Sequence, residues 1–480
     1  MNISNIARAA LFITTAIFIS GCGGGGASPT SQTQPEISTP TEPVQPWGAV
    51  KDFPYAFDVD APKIARLPSG HYLSAVYPTG NGLYTTTFVT FSDPSKPTLS
   101  FEISQSELRN FDFGSDSRGN IHVVGRGGNA ITLGREIVNS LIFNERTGAT
   151  KVTSIDKDVS ASYMFSHELA TSKSGSAMTV ISYDTAIFGN TDPNKGSVLF
   201  ASLYSAQSGW SSPVQISEVA EYGLPIAFKV AASDNGKFAV IWEIQTKGTA
   251  TRFNPTALVA RTYDPISGWS PQFTLHTDIG SNEGAGNYWL QTSITNDGTV
   301  VAAWKLHRTY DTTQTPKDIG IYDPKTQSWE YDFIDFPGRR FFTLNSEGDG
   351  IILWEQTING CQDGLLSIRF KADGTTTETE NLTKDFNCLT SVYQTELFFE
   401  SFEKAAVVWS EIMAGENSGS IGGTRLETTG NWSKPLRFAK DTYFYGVKSN
   451  IEGGRAGVSW RGDSSSDFSK KKFLDFSITP

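Results

Sequence analysis

In the stretch SDNGKFAVIWE (233–243) a turn-forming SDNG gives way to an apolar run that ends on tryptophan, six residues after the glycine. The same pattern returns in NDGTVVAAWK (296–305), SEGDGIILWE (346–355), FEKAAVVWSE (402–411) and GGRAGVSWRG (453–462). Upstream, GHYLSAVY (70–77), GNIHVVGR (119–126) and GSAMTVIS (175–182) keep the register but place Val76, Gly125 and Ile181 where the later copies have tryptophan. Each copy reads as a strand, a tight turn at the glycine and a second strand; the glycine supplies the positive φ such a turn needs. A third run follows, as in SVLFASLYS (197–205), ALVARTYD (257–264) and DIGIYD (318–323). A fourth comes after another turn, as in QSGWSSPVQI (207–216), ISGWSPQFTL (266–275), TQSWEYDFI (326–334) and TGNWSKPLRF (429–438). Short apolar runs punctuated every eight to twelve residues are the mark of antiparallel meanders.

Eight copies of a four-strand unit predict an all-β fold, a single β-propeller of eight four-stranded blades; a count of seven follows if one of the degenerate early copies is misread. The last copy runs out after KFLDFSI (472–478), one strand short, while GAVKDFPYAF (48–57) precedes the first unit without a partner. Joining the N- and C-terminal strands in the last blade would complete it and remove two exposed edges. Trp242, Trp304, Trp354, Trp409 and Trp460, at one register, are read as packing between neighbouring blades, because each can bury a large area there.

Composition agrees with a β protein: 45 glycines and 22 prolines, 12% aromatic residues and only 19% charged ones. The net charge of −11 argues against nucleic acid as a partner and against electrostatic docking on anionic lipid. Residues 1–21 form a signal peptide, with an apolar run from Ala9 to Ile19 too short to span a bilayer. Its end, Ile19-Ser20-Gly21-Cys22, resembles the processing box of bacterial lipoproteins, which implies lipidation at Cys22 and an address in the cell envelope. Gly23 at the next position implies the outer membrane, with the protein facing the periplasm or the cell surface. Residues 22–46, the lipidated cysteine and a Gly-, Pro-, Ser- and Thr-rich run, make a disordered tether of up to ~70 Å if held extended. The propeller then occupies 47–480. Cys361 and Cys388, exported to an oxidising compartment, are expected to pair.

The pattern GW-S-x-P-V-x-I followed by D-x-G-x5-W resembles repeats of uncharacterised bacterial lipoproteins with sialidase-like propellers. The resemblance covers 47–480 and speaks for architecture far more than for activity. A sialidase would need an arginine cluster, a Tyr–Glu nucleophile pair and Asp-box turns. Arg66 is displaced from the place of the first arginine, nine residues before Gly70, where Ala61 stands. Outer-membrane assembly lipoproteins are a second comparison in size and anchoring, but FNERTGATKV (143–152) is the only near match to their repeat.

No nucleophile elbow, phosphate loop or metal spacing is present, so no catalytic residue, cofactor or metal is assigned. GRGGN (125–129) reads as a β-turn, and Arg461-Gly462-Asp463 as a chance tripeptide. The connections 183–196, 244–256, 277–288 and 305–317 are long and belong to consecutive units. They carry Tyr183, Asp184, Arg252, Tyr288, His307, Arg308 and Tyr310, the candidate binding face. The resulting expectation is a membrane-anchored, non-catalytic binding or scaffold module for an envelope protein or glycan. The alternative is a glycan-active enzyme, a hydrolase or lyase, which two carboxylates converging in the central pocket would favour.

Overall fold

The structure is a computed structural model. It describes residues 51–53, 64–67, 69–76, 85–92, 98–104, 107–127, 137–156, 163–184, 196–218, 220–221, 227–246, 254–277, 289–305, 319–326, 328–332, 340–358, 361–371, 375–384, 389–413, 419–442, 448–452, 454–461 and 471–478. Among them every regular element is a β-strand, and all strand pairs are antiparallel.

The strands form consecutive meanders, each paired in the order of the chain. The first unit joins Ile64–Arg66, Tyr72–Val76, Thr85–Phe91 and Thr98–Ser104. In the fourth, Phe228–Ala232 pairs with Phe238–Thr246 and that with Asn254–Asp264. The sixth and seventh units share one sheet, linked by the single pair Asp363↔Leu389. In the last unit, Lys448–Glu452, Arg455–Arg461 and Lys471–Ser477 are followed in the sheet by Lys51–Phe53, which pairs Lys51 with Phe473. The first strand of each unit lies against the first strand of the next, and Lys448–Glu452 in turn lies against Ile64–Arg66. Innermost strands side by side around an axis, with three further strands stacked outward from each, are a β-propeller arrangement.

The fourth strand departs from the sequence reading in several units; in the second it is split into Gly148–Ala149 and Thr153–Ser154 with no proline between them, the Thr150 hydroxyl accepting from Ile142 N in the gap. In the third unit it is split into Gly209–Trp210 and Val214–Gln215, and in the fourth into Gly268–Trp269 and Phe273–Thr277. Pro213 and Pro271 sit in these gaps together with Ser211 and Ser270, whose hydroxyls accept from Leu203 N and Thr262 N. In the fifth unit the fourth strand, Ser328–Asp332, is continuous.

The core lies between units. Trp242 packs on Met178 and Val180 of the third unit, Trp354 on Val301 and Ile321 of the fifth, Trp409 on Ile351 and Leu353 of the sixth, and Trp460 on Phe398 and Val408 of the seventh. All four are buried, and each faces the unit before it. Room for the indole is made on the paired strand: Gly422 lies opposite Trp409, and a Cβ there would come within 2.7 Å of the ring. The seam between the first and last units is built alike. A Cβ on Gly457 would meet the Tyr72 ring at 2.6 Å, and the Tyr72 hydroxyl donates to Asp475 at 2.7 Å. Burial and the Asp475 carboxylate together raise the Tyr72 pKa, so the phenol keeps its proton for this bond.

In the second to sixth units the turn after the innermost strand is held by a short polar side chain three residues before the glycine; the first and last units have Leu67 and Ile451 there. Asp116 accepts from the Arg118 and Asn120 amides; Ser233, Thr295 and Asn345 accept from those of Lys237, Thr299 and Asp349. The glycine that follows has positive φ, +87° at Gly236. Neighbouring turns are stitched together: Ser174 N to Asp234 O, Asn235 N to Asn296 Oδ1, Asn296 N to Ser346 O. The Ser346 hydroxyl also donates to Asp234 Oδ2 at 2.7 Å. The fourth and sixth units are not neighbours, so that bond spans the turn of the fifth unit between them.

Candidate active site

At one register, seven residues before the turn glycine or its replacement, the innermost strands of five units carry a polar residue, a belt broken in the sixth, which has Phe341 there. Counting back from Gly119, Gly175, Gly236 and Gly298 gives Asp112, Glu168, Lys229 and Gln291, and from Glu403, in the glycine's place, Glu396. The belt has a structural duty first. An innermost strand has a free edge toward the axis, and its amides need acceptors. Glu168 Oε2 accepts from Val230 N of the next unit at 3.2 Å, and Gln291 Oε1 accepts from Phe342 N at 3.0 Å. His167, one residue before Glu168, reaches the other way, with Nε2 3.1 Å from Val124 O and 3.5 Å from Asp112 Oδ2.

Asp112, His167, Glu168 and Lys229 thus form one cluster over three innermost strands. Glu168 is ion-paired with Lys229. Both carboxylates are half-buried, the Glu168 side chain 25% exposed and that of Asp112 28% exposed. Burial raises the Glu168 pKa; the Lys229 ammonium works against this, and the negative charge of Asp112 adds to it. A carboxyl that holds its proton more firmly, beside a second carboxylate, is the arrangement acid catalysis of glycosidic cleavage requires.

Further carboxylates stand at the far ends of the second strands. Glu243 and Glu355, each one residue past a packing tryptophan, are buried, as is Glu411. Glu411 accepts from Trp409 Nε1 at 2.6 Å and is ion-paired with Arg437, which makes it a packing element. Among the described residues no group of three or more His, Cys, Asp or Glu is placed to hold a metal ion.

The residues singled out from the sequence fare differently. Tyr183, expected on an exposed binding face, is 1% exposed and packs with Val124, Val138 and Ile155 of the second unit, its hydroxyl donating to Asp156. It is a packing residue, because it sits on the strand Ala177–Asp184 and not in the loop that follows. Asp184 ends that strand opposite Tyr163. Arg252, Tyr288, His307, Arg308 and Tyr310 lie outside the described residues, as do Cys22 and Cys388; Cys361 opens the strand Cys361–Phe370. The belt was not recognised in the sequence, although counting back from the turn glycines would have found it.

No protein-family model matches the chain, and no curated protein matches it. Solved structures do resemble it. A polysaccharide lyase, Uly1, is 12% identical with a TM-score of 0.43, over 88% of this chain and 90% of its own. A leech intramolecular trans-sialidase is 9% identical with a TM-score of 0.34, over 89% and 93%. A eukaryotic initiation factor is 12% identical with a TM-score of 0.45, over 89% and 88%. Proteins acting on glycans recur among the similar structures, arabinanase and arabinofuranosidases included. The expectation of a non-catalytic binding or scaffold module is corrected accordingly: these findings stand with the glycan-active alternative. The sequence reading named that alternative without placing its carboxylates, because it looked for a sialidase's motifs at fixed spacings, whereas Asp112 and Glu168 come from separate strands.

Proposed function

We propose that the chain is a glycan-active enzyme, a hydrolase whose site is the inner-wall cluster of Asp112, His167, Glu168 and Lys229. The observation that carries this reading is the pair of half-buried carboxylates on adjacent innermost strands, one of them with a pKa raised by burial. Glu168 donates its proton to the leaving glycosidic oxygen. Asp112, beside His167, is the carboxylate that activates water or attacks the anomeric carbon. Lys229 keeps Glu168 oriented. The test is a screen of the full chain against plant and bacterial polysaccharides for new reducing ends, repeated with Glu168→Gln and Asp112→Asn. Glutamine still accepts from Val230 N but cannot act as an acid. Activity should fall by about 10²–10⁴-fold with the melting temperature nearly unchanged. Products with an unsaturated terminal sugar would replace hydrolysis by elimination. Equal activity of both variants and wild type would dismiss the cluster.

The propeller is further proposed to have eight blades in one ring, closed where Lys51–Phe53 completes the last sheet. Support comes from the pairing of Lys51 with Phe473 and from the Tyr72–Asp475 bond between the first and last units. Cys22 is proposed as the lipid anchor that holds the enzyme at the envelope, on the strength of Ile19-Ser20-Gly21-Cys22. A bond between Cys361 and Cys388 is proposed as well, supported by Asp363↔Leu389, a pair that brings neighbours of both cysteines into one sheet.

A further inference from the structure

A second cleft opens on the face of the tight turns, between the fourth and fifth units, away from the inner wall. Its volume is about 300 Å³, at the small end of ligand pockets and suited to one or two sugar rings. Trp269, Tyr263, Phe273 and Tyr322 line it, together with Lys237 and Asp264 among its polar groups. The aromatic rings are fixed before any ligand arrives. Trp269 packs edge-on to Tyr263 at 5.4 Å, and the Arg261 guanidinium lies over its ring at 5.7 Å. Arg261 is itself tied to Ser270 O at 3.0 Å and Ile216 O at 3.2 Å. Phe273 and Tyr322 stand 4.7 Å apart on the opposite wall.

The polar groups are equally set. Lys237 Nζ lies 3.1 Å from Asp264 Oδ2 and 3.2 Å from Asp297 O, which leaves one of its three donors over. Backbone donation from Ile266 and Ser267 lowers the Asp264 pKa, and the Lys237 ammonium lowers it further, so the carboxylate stays an acceptor near neutrality. Two aspartates against one lysine disfavour a phosphate, sulfate or uronate. Aromatic faces flanked by a few fixed donors and acceptors suit the C–H face and hydroxyls of an uncharged sugar.

We propose that this cleft is a non-catalytic subsite for a neutral saccharide unit, which holds a polymeric substrate on the face of the tight turns. The proposal deepens the glycan reading and rests on it for the class of ligand; retention on polymer and cleavage are measured separately, so either can fail without the other.

The experiment is affinity electrophoresis of the full chain through gels containing arabinan, galactan, xylan or mixed-linkage glucan, with polygalacturonate as the acidic comparison. Wild type should be retarded by at least one neutral polymer and not by polygalacturonate alone. Trp269→Ala should weaken that retention at least tenfold, and Lys237→Met several-fold. Trp210→Ala changes the tryptophan at the same register of the third unit, where it packs on Tyr204, and should leave retention unchanged. No retardation by any neutral polymer overturns the subsite, as does equal loss in Trp210→Ala and Trp269→Ala. If Trp269→Ala lacks a native melting transition, Lys237→Met decides, and unchanged retention by that variant overturns the proposal.

Discussion

Glu168 joins structural and chemical duties in one side chain, and pH separates them. Its pKa is raised in the folded chain by burial, so its contribution to stability is fully present below the ordinary glutamate value of about 4.3 and is lost as pH rises through the folded value. Glu168→Gln should therefore flatten the decline of stability with rising pH in that window, read as urea midpoints across a pH series. An identical pH profile in the variant would show that the carboxyl is not perturbed. At the same scale, Trp242 is buried between the third and fourth units, and Trp242→Ala should cost about 3–5 kcal/mol through the cavity it leaves. Chemical denaturation measures the loss.

At the scale of the element, the tight turn is the unit of repetition, and its polar cap decides how firmly two strands are joined. Asp116 accepts two backbone amides and the Asn120 side chain, and His122 Nε2 lies 3.5 Å away. Burial acts to raise its pKa, but the contact with His122 and the Asn120 donors prevail and lower it. Its contribution is thus present above the ordinary aspartate value of about 3.9 and lost as pH falls toward the lowered one. Asp116→Ala should destabilise by about 1–3 kcal/mol near neutrality, because the amides lose a charged acceptor, and by progressively less in acid. A constant deficit at every pH would contradict the cap. The split fourth strands belong to this scale as well: a run read from the sequence as one strand folds as two where a hydroxyl in the gap, Ser270 in the fourth unit and Thr150 in the second, accepts the ladder amide in place of a backbone carbonyl.

For the molecule as a whole, the weak point is the seam between first and last units. Removing residues 47–57 would leave Lys471–Ser477 as an unpaired edge, and the truncated chain should melt lower or aggregate from that edge. A truncation beginning at Asp58 that melts like the full chain would refute closure by the N-terminal strand. Replacement of Cys22 by serine should release the protein from washed membranes, followed by fractionation of the native envelope. Mass spectrometry of a non-reduced digest should find Cys361 linked to Cys388; two free thiols in exported protein would exclude the bond.

The sequence by itself determined the strands and their order. Strand, turn and tryptophan recur at fixed spacing because each unit must solve the same local problem: a glycine for positive φ, a short polar cap before it, and an apolar run to bury. Local chemistry of that kind is written in consecutive residues, and it made the four-strand units and the packing role of Trp242, Trp354, Trp409 and Trp460 legible. The site is a different matter. Asp112, Glu168 and Lys229 are separated by more than fifty residues each and become neighbours only when three innermost strands stand side by side. Burial, which raises the pKa of Glu168, and the field of Asp112, which adds to it, exist only in that assembly. Tyr183 shows the same limit from the other side: at the end of a strand its residue type fits a binding loop equally well, and only the packing of the second unit against the third put its ring inside.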